Sequence, residues 1–156
     1  MNTPRFVYIL VACVGTLHAS VADTVYGESG MVVSRSQIAS NVGLETLKQG
    51  GNAIDAAVAT AFTLAVTHPS AGNLGGGGFM VICLAEGTQI VNDHREKAPI
   101  DASRDMYLDA NGDIIPGLSR NTHKAVGVPG SVDGLLAALE RYGSLPRARV
   151  LADAIE

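Results

Sequence analysis

A run of charged residues, "DHREKAP" at positions 93–99, holds the side chains best suited to contact a ligand. The planar guanidinium of Arg95 can donate two parallel hydrogen bonds to a carboxylate. In an extended strand, Arg95 faces the side opposite His94 and Glu96. An ordinary ion pair explains the same run, with a partner among Asp93, Glu96 and Asp101. From the residues alone the ion pair is the favoured interpretation, because most charges in such a run are solvated.

A second stretch, "NLGGGGFM" at residues 73–80, has four consecutive glycines between a helix-like run and a strand-like run. A phosphate loop of the Walker type needs Lys and then Ser or Thr directly after its glycines, whereas Phe79 and Met80 follow here. A dinucleotide fingerprint needs a strand, a glycine turn and a helix in that order, and this order is reversed. The glycines therefore indicate close backbone packing in conformations that glycine adopts cheaply.

No other group of residues has the spacing of a metal or nucleophile site. The stretch "DANGDI" has Ile114 where a calcium loop needs Gly and Arg120 where it needs Glu. His68 and His123 stand apart and are expected at surface or loop positions. Cys83 lies in an apolar, strand-like run and is expected to be a small buried residue without the basic surroundings of a nucleophile. From the residues alone we therefore predict no metal site in this chain.

The composition excludes two broad classes of protein. A formal charge of −4 excludes a strongly basic nucleic-acid-binding surface. A hydrophobic fraction of 47% excludes global disorder. Because aromatic residues make up only 4%, Ala, Val, Leu and Gly must pack the core.

Residues 1–22 have the pattern of a signal peptide. "MNTPR" carries a positive charge, and "FVYILVACVGTL" has about the length of a signal's apolar segment. Ser20 and Ala22 supply small residues before a cut at Asp23. The run is too short for a comfortable membrane span; a buried helix or an uncleaved anchor is the alternative. We expect residues 23–156 to be periplasmic or secreted.

The rest of the sequence alternates strand and helix patterns. A strand is predicted at 31–34, a hairpin at 78–85 and 89–96 around Gly87, and an extended piece at 124–130. Helices are predicted at 36–49, 53–66 and 131–143, with a further helix opened by Pro146. Asn52 and Asp55 form a predicted capping box, and three serines are interpreted as caps: Ser34, Ser36 and Ser131. The helix at 53–66 is apolar on nearly every side, which predicts burial against a sheet.

The last predicted helix is still open where the sequence stops at Glu156. A complete domain usually ends beyond a helix terminus, in polar residues. We therefore expect the front part of a longer protein.

Several of these segments resemble the N-terminal region of the γ-glutamyltranspeptidases. The matching segments follow the family's order from about residue 30 to the end: "GMVVSRSQIASNVGLETLKQGGNAIDAAVATAFTLAV", "GGGGFMVI", "DHREKAP", "SRDMYLD", "AVGVPGSVDGL" and "YGSLP". "GGNAIDAAVA" and "GGGGFM" are specific together, and four glycines before Phe-Met are similar to the bacterial members.

The resemblance implies an α+β fold, the N-terminal-nucleophile hydrolase αββα sandwich, which this chain holds only in part. It implies an exported precursor that cleaves itself before a Thr, and that Thr then attacks the γ-glutamyl amide of glutathione and related compounds. Water, an amino acid or a peptide accepts the acyl group, with no cofactor. The Thr lies in the small subunit, downstream of this chain. Thr122 and His123 in "RNTHKAV" resemble the setting of that Thr but lie in the wrong region of the sequence. Because the nucleophile is missing, the fragment itself is expected to be inactive.

The resemblance also changes the favoured interpretation of Arg95 from an ion-pair residue to a ligand-binding residue. The Arg of the family's D-x-R-E-x-A-P segment pairs with the α-carboxylate of the γ-glutamyl group, and here that residue is Arg95. His94 departs from the aromatic residue usual in the family, which puts packing and fine substrate preference in doubt. The glycines at 75–78 are expected to form a core turn that packs between the buried helix and the sheet, without a catalytic role.

Two classes of function remain open at this point. The first is a γ-glutamyl transferase and hydrolase precursor, or a related enzyme that cleaves a glutaryl-type amide. The second is a non-enzymatic exported protein that keeps a carboxylate-binding pocket. The Thr downstream in the gene distinguishes them.

Overall fold

The computed structural model describes residues 24–71 and 73–156. The predicted signal peptide at 1–22 lies outside the described residues. The elements follow one another in this order: α1 Gln37–Lys48, α2 Ala53–Thr67, β1 Phe79–Cys83, β2 Gln89–Asp93, a 3-10 turn at His123–Ala125, α3 Ser131–Tyr142 and α4 Arg147–Ile155. Within these ranges, no helix is both long and apolar enough to cross a membrane.

Helix α2 is the centre of the packing, as its apolar sequence predicts. Val58 and Ala59 are fully buried, and α1, α3 and α4 all pack against this helix. The core cluster joins α2 to Ile82 of β1 and to Leu139 of α3. The helix therefore lies mainly among helices, with the sheet covering part of its surface.

The capping box at the start of α2 is confirmed, and its Asp55 also contacts residues outside α2. The Asn52 side chain accepts from the backbone N–H of Asp55, and an Asp55 oxygen accepts from the Asn52 N–H at 2.7 Å. Asp55 also accepts from the Ser144 hydroxyl at 2.6 Å and from the Leu145 N–H at 3.2 Å. One fully buried carboxylate thus ties α2 to the turn between α3 and α4.

Hydrogen bonds determine the charge state of Asp55. Burial alone raises the pKa of this carboxyl, but hydrogen bonds from the Ser144 side chain and from the backbone N–H groups of Asn52, Ser144 and Leu145 outweigh it. The net effect holds the pKa of Asp55 below its ordinary value. A carboxylate that accepts several hydrogen bonds favours its charged form in this way.

The predicted hairpin is confirmed. Strands β1 and β2 pair antiparallel, with Phe79 opposite Asp93 and Cys83 opposite Gln89. Gly87 sits in the turn with φ +90°, a conformation that favours glycine. Along both strands the more buried positions alternate with exposed ones, so one face of the hairpin packs on the helices. The other face, which we call the open face, carries Phe79, Val81, Cys83, Gln89, Val91 and Asp93.

The prediction that Cys83 is buried is wrong, because this residue is exposed. Ile82 points to the helices and is 5% exposed. Adjacent residues of a strand face opposite sides, so Cys83 lies on the open face beside exposed Val81 and Phe79.

Three predicted local details also differ. Residues 31–34 do not form a strand, because no neighbouring strand among the described residues pairs with them. Ser131 does not cap α3. The cap residue is Gly130, which has no side chain to accept from the N–H groups of the first turn. The backbone N–H groups of Gly130 and Ser131 donate instead to the carbonyl of Gly76. The extended piece at 124–130 begins with a 3-10 turn and pairs only at Val128, with Lys97.

The other predicted helix ends are confirmed except at Ser34, which is not a cap because its hydroxyl donates to the Ser36 carbonyl at 2.9 Å. Ser36 caps α1 and accepts from the Ala39 N–H, and Gly143 ends α3. Pro146 precedes the first residue of α4, where a missing N–H costs nothing. Helices packed on one face of a hairpin give a mixed α and β architecture.

Candidate carboxylate-binding site

Arg95 follows β2 by two residues and lies on the open-face side of the hairpin. Its Nε and Nη2 donate to the two oxygens of Asp93, at 3.3 and 3.2 Å. The backbone N–H of Arg95 also donates to Asp93 Oδ1, at 3.1 Å. Of the ion-pair partners that the sequence leaves open, the structure therefore selects Asp93. The Arg95 side chain is nevertheless 62% exposed.

The ion pair uses only part of the guanidinium. Arginine has five N–H donors in a planar fork, and Asp93 occupies the edge formed by Nε and Nη2. The edge formed by Nη1 and Nη2 is a second fork of the same width, suited to another carboxylate. Arg95 can thus hold Asp93 and a ligand carboxylate at the same time.

Asp93 stays ionised beside this cation. Hydrogen bonds from the Arg95 side chain, and then from its backbone N–H, hold the pKa of Asp93 below its ordinary value. The pair is exposed, and exposed pairs contribute little to stability. The ion pair of Asp93 and Arg95 therefore mainly sets the orientation of the guanidinium.

His94 points the other way, as strand alternation predicts for neighbours of Arg95. Its side chain packs against α3 at Gly134, where a Cβ would overlap the His94 Cβ and ring. The Nδ1 atom of His94 is buried and has no hydrogen-bond partner among the described residues. On the same face, the Asn92 side chain donates to the Gly134 carbonyl at 2.8 Å. His94 therefore affects the packing of α3 and does not contact the guanidinium edge.

The glycine run fixes the backbone next to Arg95. Gly78 and His94 exchange two backbone hydrogen bonds, which extend the hairpin by one pair. A Cβ on Gly77 would lie 2.6 Å from the Glu96 backbone nitrogen and 2.7 Å from the His94 carbonyl oxygen. The close approach that the sequence predicts is therefore real, but its nearest partner is the segment after β2 and not helix α2.

A cavity of about 350 Å³ lies between the hairpin and helices α2 and α3. It is bounded by Ala57 and Ala61 of α2, Gly76 and Gly77, and by His94, Glu96 and Ser131. Arg95 is not part of its lining. Phe79, whose ring centroid lies 4.8 Å from the Arg95 Cζ, does line the cavity, so the cavity reaches the residue that contacts Arg95 on the open face.

The remaining polar residues do not form a site in the described ranges. No three His, Cys, Asp or Glu side chains of residues 24–71 and 73–156 are close enough to hold a metal ion. Thr122 donates its hydroxyl to the Leu118 carbonyl at 2.7 Å, and His123 is exposed in a 3-10 turn. Neither is arranged as a nucleophile and its base.

Sequence reasoning missed one residue of this site, Phe79. The Arg95 Cζ lies 4.8 Å from the centroid of the Phe79 ring, within the range of a cation–π contact. The signal was available only through the hairpin register, which sets Phe79 opposite Asp93.

Comparisons with known proteins agree with the motifs. The γ-glutamyltranspeptidase family model matches residues 39–156. The glutathione hydrolase proenzyme of Pseudomonas sp. (strain A14) is 52% identical over 139 residues, which cover 89% of this chain and 24% of that protein. The acylase ACY 1 proenzyme of Pseudomonas sp. (strain V22) is more distant, at 44% identity over 83% of this chain and 24% of that protein.

A solved structure gives the fold. The γ-glutamyltranspeptidase of Helicobacter pylori superposes with a TM-score of 0.80 at 47% identity, over 85% of this chain and 38% of that one. The predicted N-terminal-nucleophile hydrolase fold is confirmed, and the helices and hairpin described above are part of its sandwich. The chain spans about a quarter of the length of the curated relatives it matches. This chain belongs to the γ-glutamyltranspeptidase family.

Proposed function

We propose that the complete protein is an exported γ-glutamyl transferase and glutathione hydrolase, and that this chain supplies the group that binds the α-carboxylate of the γ-glutamyl donor. The proposal rests on the position of the Arg95 side chain, which is 62% exposed on the open face and has one edge of its guanidinium held by Asp93. The family membership of the chain supports the reaction class.

The chemistry would be acyl transfer. The hydroxyl of a downstream Thr, made N-terminal by self-cleavage of the precursor, attacks the γ-carbonyl carbon of the donor. The C–N bond breaks, the amine leaves with a proton, and an ester to the Thr remains. Water then releases glutamate, or the amino group of an amino acid or peptide takes the γ-glutamyl group. Splitting one difficult step into two in this way is what a covalent nucleophile provides.

In this scheme Arg95 does not take part in bond making. Its free edge donates two charge-assisted hydrogen bonds to the donor's α-carboxylate, at the opposite end of the glutamyl group from the reacting carbonyl. The contact therefore sets which acyl groups enter and where their carbonyl lies. Correct placement of a reacting group by a distant charged contact is a recognised part of catalysis.

The test replaces Arg95 by Lys and by Gln in the full-length, self-processed enzyme. Lys keeps the charge but loses the fork, whereas Gln loses both. Loss of a charged hydrogen-bond partner costs about 1.5–3 kcal/mol, which corresponds to roughly ten- to 150-fold in kcat/KM. We expect KM for glutathione to rise for both variants and more for Gln, with self-cleavage intact.

A matched control is Arg104→Gln. Arg104 is also an exposed arginine paired with a neighbouring aspartate, Asp105, and lies outside the proposed site. It should leave glutathione kinetics unchanged. If Arg95→Gln processes normally and hydrolyses glutathione like the wild type, Arg95 is only a surface ion-pair residue.

A related amide acylase is the second candidate, supported by the similarity to the acylase ACY 1 proenzyme, with a glutaryl amide as its expected substrate. A glutaryl group carries the same terminal carboxylate without the α-amino group, so Arg95 suits both. The higher identity to a glutathione hydrolase favours the first candidate. Comparing kcat/KM for γ-glutamyl and glutaryl anilides in the full-length protein decides between them. Binding of either compound without turnover would instead indicate a non-enzymatic carboxylate-binding protein.

The location and subunit arrangement follow from the same proposal. Residues 1–22 would be removed on export to the periplasm or medium, and residues 23–156 would form the N-terminal portion of the large subunit. The small subunit from the same precursor would be its partner, and no nucleic acid would be bound.

A further inference from the structure

Two residues from adjacent strands contact the Arg95 guanidinium. Phe79 is the first residue of β1 and Asp93 the last of β2, and the register sets them directly opposite each other. Side chains that are directly opposite in an antiparallel pair lie on the same face. Both belong to the open face, so both reach the side chain of Arg95.

Each of the two contacts restricts a different motion. Asp93 accepts from Nε at 3.3 Å and from Nη2 at 3.2 Å, which fixes the rotation of the guanidinium in its own plane. The Arg95 Cζ lies over the Phe79 ring, 4.8 Å from its centroid, so the ring limits how far the guanidinium can move toward β1. The Arg95 backbone N–H bound to Asp93 Oδ1 fixes the base of the same side chain.

We propose that Asp93 and Phe79 are positioning residues, which hold Arg95 so that the edge formed by Nη1 and Nη2 faces the donor's α-carboxylate. This inference rests on the proposed role of Arg95. An unrestrained arginine loses several rotamers when it binds a ligand, and a side chain that is already ordered loses fewer. Asp93 and Phe79 therefore act on the substrate only through Arg95.

The glycine run explains why this arrangement can form at all. Phe79 follows directly on Gly78, whose backbone pairs with His94. A side chain at Gly77 would collide with the backbone of the 94–96 segment. The glycines thus let β1 reach its register beside Asp93, which sets the ring and the carboxylate around one guanidinium.

The test uses steady-state kinetics of the full-length, processed enzyme. Asp93→Asn keeps the shape and one acceptor oxygen but cannot accept both N–H groups of the fork. We expect it to raise KM for glutathione about two- to thirteenfold, the range that corresponds to the cost of ordering one flexible side chain on binding, with kcat nearly unchanged. Asp105→Asn is the matched control, because Asp105 also pairs with an adjacent arginine away from the site.

Phe79 is tested by a pair of variants. Phe79→Leu keeps an apolar side chain but removes the ring face, and we expect KM to rise roughly two- to fivefold, as for an exposed cation–π contact. Phe79→Tyr keeps the face and should restore wild-type KM. Equal KM values for Leu and Tyr would remove Phe79 from the proposal.

The decisive comparison repeats Asp93→Asn and Phe79→Leu in an Arg95→Gln background. If both act through Arg95, their effects on KM vanish there, as expected for coupled residues. Effects of full size in that background, or an Asp93→Asn enzyme with unchanged or lower KM, would overturn the inference. A wild-type KM for Arg95→Gln alone would instead overturn the proposed function, so the two failures are distinguishable.

Discussion

Replacing Asp55 by Asn should strongly destabilise the protein, although the change is nearly isosteric. Asp55 is fully buried. Its Oδ2 accepts from the Asn52 N–H at 2.7 Å and from the Ser144 hydroxyl at 2.6 Å, while Oδ1 accepts from the Leu145 N–H at 3.2 Å. An amide supplies only one acceptor oxygen, so at least one buried N–H must face an NH₂ group. No rotamer of Asn satisfies all the donors.

The expected magnitude follows from that count. Loss of a hydrogen bond to a charged group costs about 1.5–3 kcal/mol, and the weakened cap of α2 adds to it. We therefore expect Asp55→Asn to lower the free energy of unfolding by roughly 2–3 kcal/mol. Asp55→Ala should cost more, because it leaves all the donors buried and unpaired.

The assay is urea unfolding of the complete protein, followed by tryptic susceptibility of this region and by circular dichroism. Asp105→Asn makes the same chemical change at an exposed ion pair and should alter stability by less than about 0.5 kcal/mol. If Asp55→Asn unfolds at the wild-type urea midpoint, the carboxylate does not hold α2 to the α3–α4 turn.

Three further predictions concern acid, packing and export. Since the pKa of Asp55 is lowered in the fold, its stabilisation is present above the unfolded value of about 3.9 and is lost as pH falls through the folded pKa; the stability gap between wild type and Asp55→Asn should close in acid and stay constant from pH 5 to 7. Gly134→Ala should lower the melting temperature despite the higher helix propensity of Ala, because its Cβ overlaps His94; an unchanged or higher value would show that His94 moves aside. N-terminal sequencing of the exported protein should begin at or near Asp23, and intact Met1 would contradict the signal peptide.

The elements that could be predicted are those fixed by neighbours in sequence. The capping box of Asn52 and Asp55, the turn at Gly87 and the end of α3 at Gly143 each depend on residues a few positions apart, and all are confirmed. Local propensity and capping carry most of that information.

The details that could not be predicted depend on contacts between distant segments. Cys83 reads as a core residue, but which face of β1 is covered is decided by α2 and α3. Ser131 has the residue type of a helix cap, yet the N–H groups there are satisfied by Gly76, more than fifty residues away in the sequence. A strand at 31–34 needs a pairing partner, and sequence alone does not supply one.

The candidate site divides in the same way. The motif predicts Arg95 as the ligand-binding residue, and the sequence leaves Asp93 as one of three possible ion-pair partners. Phe79 became visible only when the register of the hairpin was known. The interaction of a guanidinium with one residue beside it and another across the sheet is therefore partly local and partly tertiary.

The proposed contact of Arg95 with the donor's α-carboxylate is tested by one ratio of specificity constants. In the full-length processed enzyme, kcat/KM is measured for a γ-glutamyl anilide and for the same anilide lacking the α-carboxylate, in wild type and in Arg95→Gln. We predict that the wild type prefers the complete donor by roughly ten- to 150-fold and that Arg95→Gln loses this preference, with the truncated donor cleaved equally by both enzymes. An Arg95→Gln enzyme that keeps the full preference for the α-carboxylate would show that Arg95 does not bind this group.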